Sequence, residues 1–287
     1  MRLVPIVKLT SAALIFTICS CATGAEDAMK LVPLEKLSIA TAYDLPSSGP
    51  LKVIIENLHQ RATNDQYQLI TNAIVASPAL IEQLSILADN GLITTFSIDT
   101  PSSGSARPSA FCAGISGTDW VFKSSFLEEQ AIARIYHVVN KDDILPNNMV
   151  FALGHLAFHA QREVQFKKDE NALKGMTNGD VVPSEAKKKD FSNPMERWID
   201  LRLRYEAGAF IQGWNDVYDA AVLENHGNPL SANQVGSLLL NLRNRAVFLK
   251  AMNDHRLFSG SGRIEQTAAN VDAIVVALHD SKMIDIE

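Results

Sequence analysis

Two histidines, His155 and His159, stand four residues apart in Phe151-Ala152-Leu153-Gly154-His155-Leu156-Ala157-Phe158-His159-Ala160-Gln161. Residues at i and i+4 share one face of a helix, so both imidazoles can address a single ion. Met149, Val150, Phe151, Leu153, Leu156 and Phe158 make this segment apolar nearly all round, as expected of a buried helix. Ala152, Gly154, Ala157 and Ala160 are small enough to let other backbone come close. Two imidazoles buried together need polar partners, and a cation is one efficient way to satisfy both. Packed or surface histidines with no ligand role are the other reading of this spacing.

A carboxylate supplies the second clue. Ile199, Leu203, Glu206, Phe210, Gly213 and Val217 follow a 4-3-4-3-4 spacing and form one helical stripe. Every member except Glu206 is apolar or glycine. A carboxylate in a core-facing stripe is expensive unless it is paired or coordinated. Two readings stay open: an ion pair to Arg202 or Arg162, or a third metal ligand completing a His2Glu set with an open fourth position.

The elements that must carry these residues follow from periodicity. Residues 26–50 read as an irregular lead-in, and the apolar spacing over Leu51–Asn90 predicts helices. Ser77-Pro78 starts the last of them and Asn90-Gly91 ends it. Leu92–Ile98, Ser109–Ile115 and Thr118–Lys123 read as three short strands, the last two a hairpin around Ser116-Gly117. The expected sheet is small and antiparallel and packs near the His-bearing helix. Helices are then predicted at about Phe126–Val139, Asn147–Phe166, Pro194–Glu224, Ser231–Asn253 and Gln266–Leu278. Lys167–Ser192 reads as a long polar loop. The fold class is α+β, predominantly helical.

Bulk properties narrow the function. The chain has 287 residues, 47% hydrophobic and 20% charged, an ordinary globular composition. A net charge of -6 without a dense basic patch argues against nucleic-acid binding, and Lys187-Lys188-Lys189 reads as a solvated face. Residues 1–25 have the positive start and short apolar stretch of an export signal, leaving 26–287 as a single domain. Ile18-Cys19-Ser20-Cys21 resembles a lipoprotein signal with Cys21 as the lipidated residue, although Cys19 departs from the usual pattern. Ordinary cleavage near Ala22-Thr23-Gly24-Ala25 is the alternative. The expected location is the periplasm or outer membrane, or outside the cell if the protein is secreted. Any membrane attachment is through the lipid. Cys112 is the only cysteine beyond the leader, so neither an internal disulfide nor a cysteine-type zinc site is available. It reads as a small buried hydrophobe. His137, His226, His255 and His279 read as surface residues, and Ser259-Gly260-Ser261-Gly262 as turn chemistry.

His155-Leu156-Ala157-Phe158-His159-Ala160-Gln161, with Tyr205-Glu206-Ala207-Gly208-Ala209-Phe210 about 47 residues later, resembles the H-E-L-x-H-A … E-A-x-A-F arrangement of gluzincin-type bacterial metallopeptidases. The similarity spans about residues 92–215 and includes the sheet-then-helix order of the zincin fold, whose edge strand holds extended substrate. It implies a zinc ion held by His155, His159 and Glu206, and peptide or protein as substrate or partner. Leu156 stands where the family has its catalytic glutamate, so no catalytic residue carries over. Such a glutamate moves the proton of metal-bound water to the leaving amine, a contribution of about 10²–10⁴-fold that leucine cannot make. Glu163 lies about 12 Å along the helix from His155, too far to substitute. Nothing in the sequence supports Glu196, Asp180 or Glu185 in that role.

The expectation is thus an exported, zincin-like metallopeptidase that keeps its metal and has lost its base, either a weak hydrolase or a pseudoenzyme that binds peptide. A helical envelope lipoprotein with a scaffolding or interaction role, its histidines and glutamate forming a metal-free polar cluster, is the alternative. An active hydrolase with a relocated base is a third.

Overall fold

The computed structural model describes residues 44–99, 113–130, 147–177, 193–254, 257 and 262–281. The expected leader with Cys21, Cys112, His137, Asp180, Glu185, the Lys187–Lys189 run and His255 lie outside them, as does the side chain of Glu196.

Three short helices come first: α1 (Pro50–His59), α2 (Asn64–Ile74) and α3 (Pro78–Asp89). Local chemistry sets their ends. At the start of α2 the Gln66 amide donates to Thr63 Oγ1, and the Thr63 amide donates back to Gln66 Oε1 at 2.9 Å. Pro78 opens α3, and Gly91 at φ 67 closes it. There the amides of Gly91 and Leu92 turn back to the carbonyls of Ala88 and Leu87. Leu51, Ile54, Leu58, Ile70, Ile74, Leu80, Leu84 and Leu87 form the buried faces of these helices.

The sheet has strands β1 (Thr95–Asp99), β2 (Ala113–Ser116) and β3 (Asp119–Lys123) in the order β1-β3-β2. The hairpin is where the sequence puts it: Ser116 pairs with Asp119 across Gly117-Thr118, and Gly117 takes φ 66. The expected antiparallel sheet is corrected in one respect, because β1 and β3 run parallel, with Phe96 beside Trp120. The long connection from β1 to β2 carries the chain to the far edge, so the hairpin returns β3 between them in the direction of β1. Phe96, Trp120 and Phe122 fill the buried face. The outer strand β2 packs against the next long helix.

That helix, α4 (Asn147–Thr177), and α5 (Asn193–Glu224) form the spine of the molecule. At 1.5 Å per residue they run about 47 and 48 Å. Helix α4 continues eleven residues beyond the expected end at Phe166, into the predicted loop. No apolar stripe announces this extension. Same-helix pairs such as Lys167 with Glu163 and Gln165 with Asp169 line it, and Trp198 of α5 donates to Glu170 at 3.1 Å. The α4–α5 seam closes tightly at glycines. A Cβ on Gly208 would lie 2.3 Å from Phe158 Cζ, and one on Gly213 would lie 2.8 Å from the Phe151 carbonyl. The expected helix over Ser231–Asn253 is two helices, α6 (Ala232–Asn241) and α7 (Arg245–Asp254), broken at Leu242–Asn244, where the Arg243 amide donates to Asn148 Oδ1 of α4. Finally α8 (Ala268–Ser281) packs on α5 and α7. The whole is α+β and predominantly helical.

Candidate metal centre

The seam brings together the three residues singled out by spacing. His155 and His159 project from adjacent turns of α4, and Glu206 meets them from α5. Their Nε2 atoms stand 3.0 Å apart. Glu206 Oε1 lies 3.3 Å from His155 Nε2, and Oε2 lies 3.0 Å from His159 Nε2. The rest of the predicted stripe is core, with Leu203, Phe210 and Val217 buried around it.

These separations can be compared with what an ion requires. Ligand atoms held at 2.0–2.1 Å around a tetrahedral ion stand roughly 3.3 Å from each other. The observed 3.0–3.3 Å is within a few tenths of that value. Among the described residues this is the one group of histidine, cysteine and carboxylate side chains arranged to hold a metal ion.

Electrostatics favour a cation in the same place. Burial alone would raise the Glu206 pKa, but the attraction of His155 and hydrogen bonds from both histidines hold the carboxyl well below the usual range. Burial pushes His155 the other way, below the usual imidazole value, more than Glu206 can restore. The carboxyl is thus held in its ionised form, the state in which it serves as a ligand.

The two histidines are held differently. His155 has 6% of its side chain exposed and packs to one side of the touching rings of Phe151 and Phe210, at 5.9 and 5.5 Å. His159 has 21% exposed, so solvent reaches the group from its side. Its ring lies against Tyr205, 5.0 Å away, and Tyr205 donates its hydroxyl hydrogen to the His159 carbonyl at 2.9 Å. Burial, with Glu163 and Glu206 nearby, raises the Tyr205 pKa, so the phenol stays a donor.

Leu156, where a general base would stand, is 4% exposed and belongs to the hydrophobic core. The ion pair to Arg202 or Arg162 is not formed. Arg162 lies over the Phe158 ring at 6.0 Å and Arg202 over the Trp198 ring at 4.7 Å. Glu163 pairs with Lys167. His226 and His279 are exposed, as expected.

Two residues escaped the sequence reading. Tyr205 is one, although its place beside Glu206 puts it at the same seam. The other is Asp216, buried ten residues further along α5. Gln212 Nε2 donates to both of its oxygens at 3.2 and 3.1 Å. Its Oδ2 would lie 2.0 Å from a Cβ on Gly154, so the carboxyl occupies the space that glycine leaves. Burial drives its pKa up to about 7, helped by Asp219, while Gln212, Arg263 and Gln83 oppose the rise. The available signal was an acid flanked by Trp214, Val217 and Tyr218, all buried.

No protein-family model matches the chain, and no curated protein or solved structure matches it.

Proposed function

We propose that this chain is a zinc-binding protein of the zincin-like kind, in which the metal serves to bind a peptide or protein instead of hydrolysing it. The carrying observation is the donor triad of His155, His159 and Glu206, at separations suited to a tetrahedral ion. Two imidazoles and a carboxylate favour zinc among the common divalent ions and leave a fourth position for an external ligand. Zinc there supplies Lewis acidity toward a carbonyl or carboxylate oxygen. The protein's part is to hold the ligands, to admit solvent on the His159 side and to exclude it behind Leu156. The buried Leu156 supports the loss of acid/base function, because an alkyl side chain at the position of the family's glutamate cannot carry a proton. The outer strand β2 lies beside α4, which fits the resemblance to enzymes that hold extended peptide next to the active-site helix. Joined to the export signal read in residues 1–25, this gives a degenerate metallopeptidase of the bacterial envelope.

One observation favours a second reading. Glu206 faces a ring nitrogen with each oxygen, so both Nε2 atoms have a carboxylate partner without an ion, as an interaction lipoprotein would require. Metal analysis of protein purified without chelators separates the two. The expected result is about one zinc per chain, lost in a His155→Ala, His159→Ala double variant. Metal-free wild-type protein that takes up no added zinc would remove the first reading.

A further inference from the structure

We infer that Tyr205 is a positioning residue for His159, the ligand that packing leaves least constrained; the inference extends the metal-binding reading above. The two histidines reach the same point by unequal means. His155 is buried in the core against Phe151 and Phe210, which also touch each other, so its rotamer is fixed by the shape of its surroundings. His159 has solvent on one side and needs something to hold it against rotation toward water. Tyr205 offers two restraints at once. Its ring forms a wall 5.0 Å from the His159 ring at 49°, and its hydroxyl is tied to the carbonyl of His159 itself at 2.9 Å. The ring is held in turn by Phe166, stacked at 4.5 Å and 29°, and by Phe158 at 5.5 Å. Tyr205 precedes Glu206 on α5, so the residue that braces one ligand is covalently joined to the next. A sideways shift of α5 would disturb both together. A phenylalanine would keep the wall and lose the tether, and a leucine would lose both.

The test compares wild type, Tyr205→Phe and Tyr205→Leu. Zinc affinity is measured by chelator competition, the cobalt(II) absorption spectrum is recorded, and imidazole resonances of the metal-free proteins are followed by NMR. Outer contacts of a metal ligand are worth about 10–100-fold in affinity. Tyr205→Phe is expected near the lower figure and Tyr205→Leu near the upper one, with an altered cobalt spectrum in both. In the metal-free variants the His159 resonances should shift and broaden while those of His155 stay in place. Wild-type affinity and spectrum in both variants, or an unmoved His159, overturns the positioning role. Should Tyr205→Leu fail to fold, Tyr205→Phe decides. Should wild type bind no zinc, the metal reading falls by itself, and the NMR comparison still judges Tyr205.

Discussion

Helix α5 brings two carboxylates ten residues apart, Glu206 and Asp216, into its seam with α4, and they have opposite fates. Both lose most of their water, and burial is the largest influence on each. Glu206 faces two imidazoles, and its pKa falls well below the ordinary range. Asp216 faces the amide of Gln212 and the Cα of Gly154, and its pKa rises to about 7. A buried acid is therefore not by itself a sign of a site. What distinguishes the two is whether the facing atoms can hold or replace a cation.

The strongest way to break this comparison is to bury another carboxylate beside the same seam with neither kind of partner. Leu156→Glu does so, and should destabilise the fold by about 3–5 kcal/mol, read from denaturant midpoints. Unchanged stability would mean that this position opens to water and that a cleft lies beyond it.

A smaller effect sharpens the contrast through pH, in metal-free protein. The depressed Glu206 contributes stability above its ordinary pKa of 4.5, lost as pH falls below that value. The raised Asp216 works in the other sense, its contribution falling as pH rises from 3.8 to about 7. Glu206→Gln should cost about 1–3 kcal/mol at pH 8, and Asp216→Asn should gain a similar amount while flattening the slope between pH 4 and 7. Midpoints measured across pH 3–8 that slope alike in the two variants would contradict the assignment.

The smallest change concerns the packing under Asp216. Gly154→Ala should cost about 1–2 kcal/mol, because its Cβ meets the carboxyl oxygen. In an Asp216→Ala background the cost should vanish, leaving the modest helix preference of alanine. A penalty independent of Asp216 would place the clash elsewhere.

What the sequence disclosed and what it concealed divide along the range of the interactions. His155, His159 and Glu206 were legible because helical periodicity fixes their faces and an acid in an apolar stripe stands out. The Ser116-Gly117 turn and the caps of α3 were legible because they depend on a few adjacent residues. The parallel β1–β3 pair was not, since it depends on where a long connection carries the chain. The break between α6 and α7 contains neither glycine nor proline, and α4 continues past Phe166 on mostly polar residues, one of which, Glu170, is met by Trp198 of α5. Leu156 could be read as apolar, but its burial depends on the helices and sheet around it.

The ligands also come from two chain segments joined by a long excursion. An ion bonded to His159 and Glu206 would close a loop of 47 residues, as a covalent cross-link does. Chain-entropy arguments for a closed loop of that length give about 4 kcal/mol of protection against unfolding. If residues 1–25 are removed as proposed, Cys112 is the only cysteine left and no internal disulfide can form. On that reading the metal would take over the work of a staple.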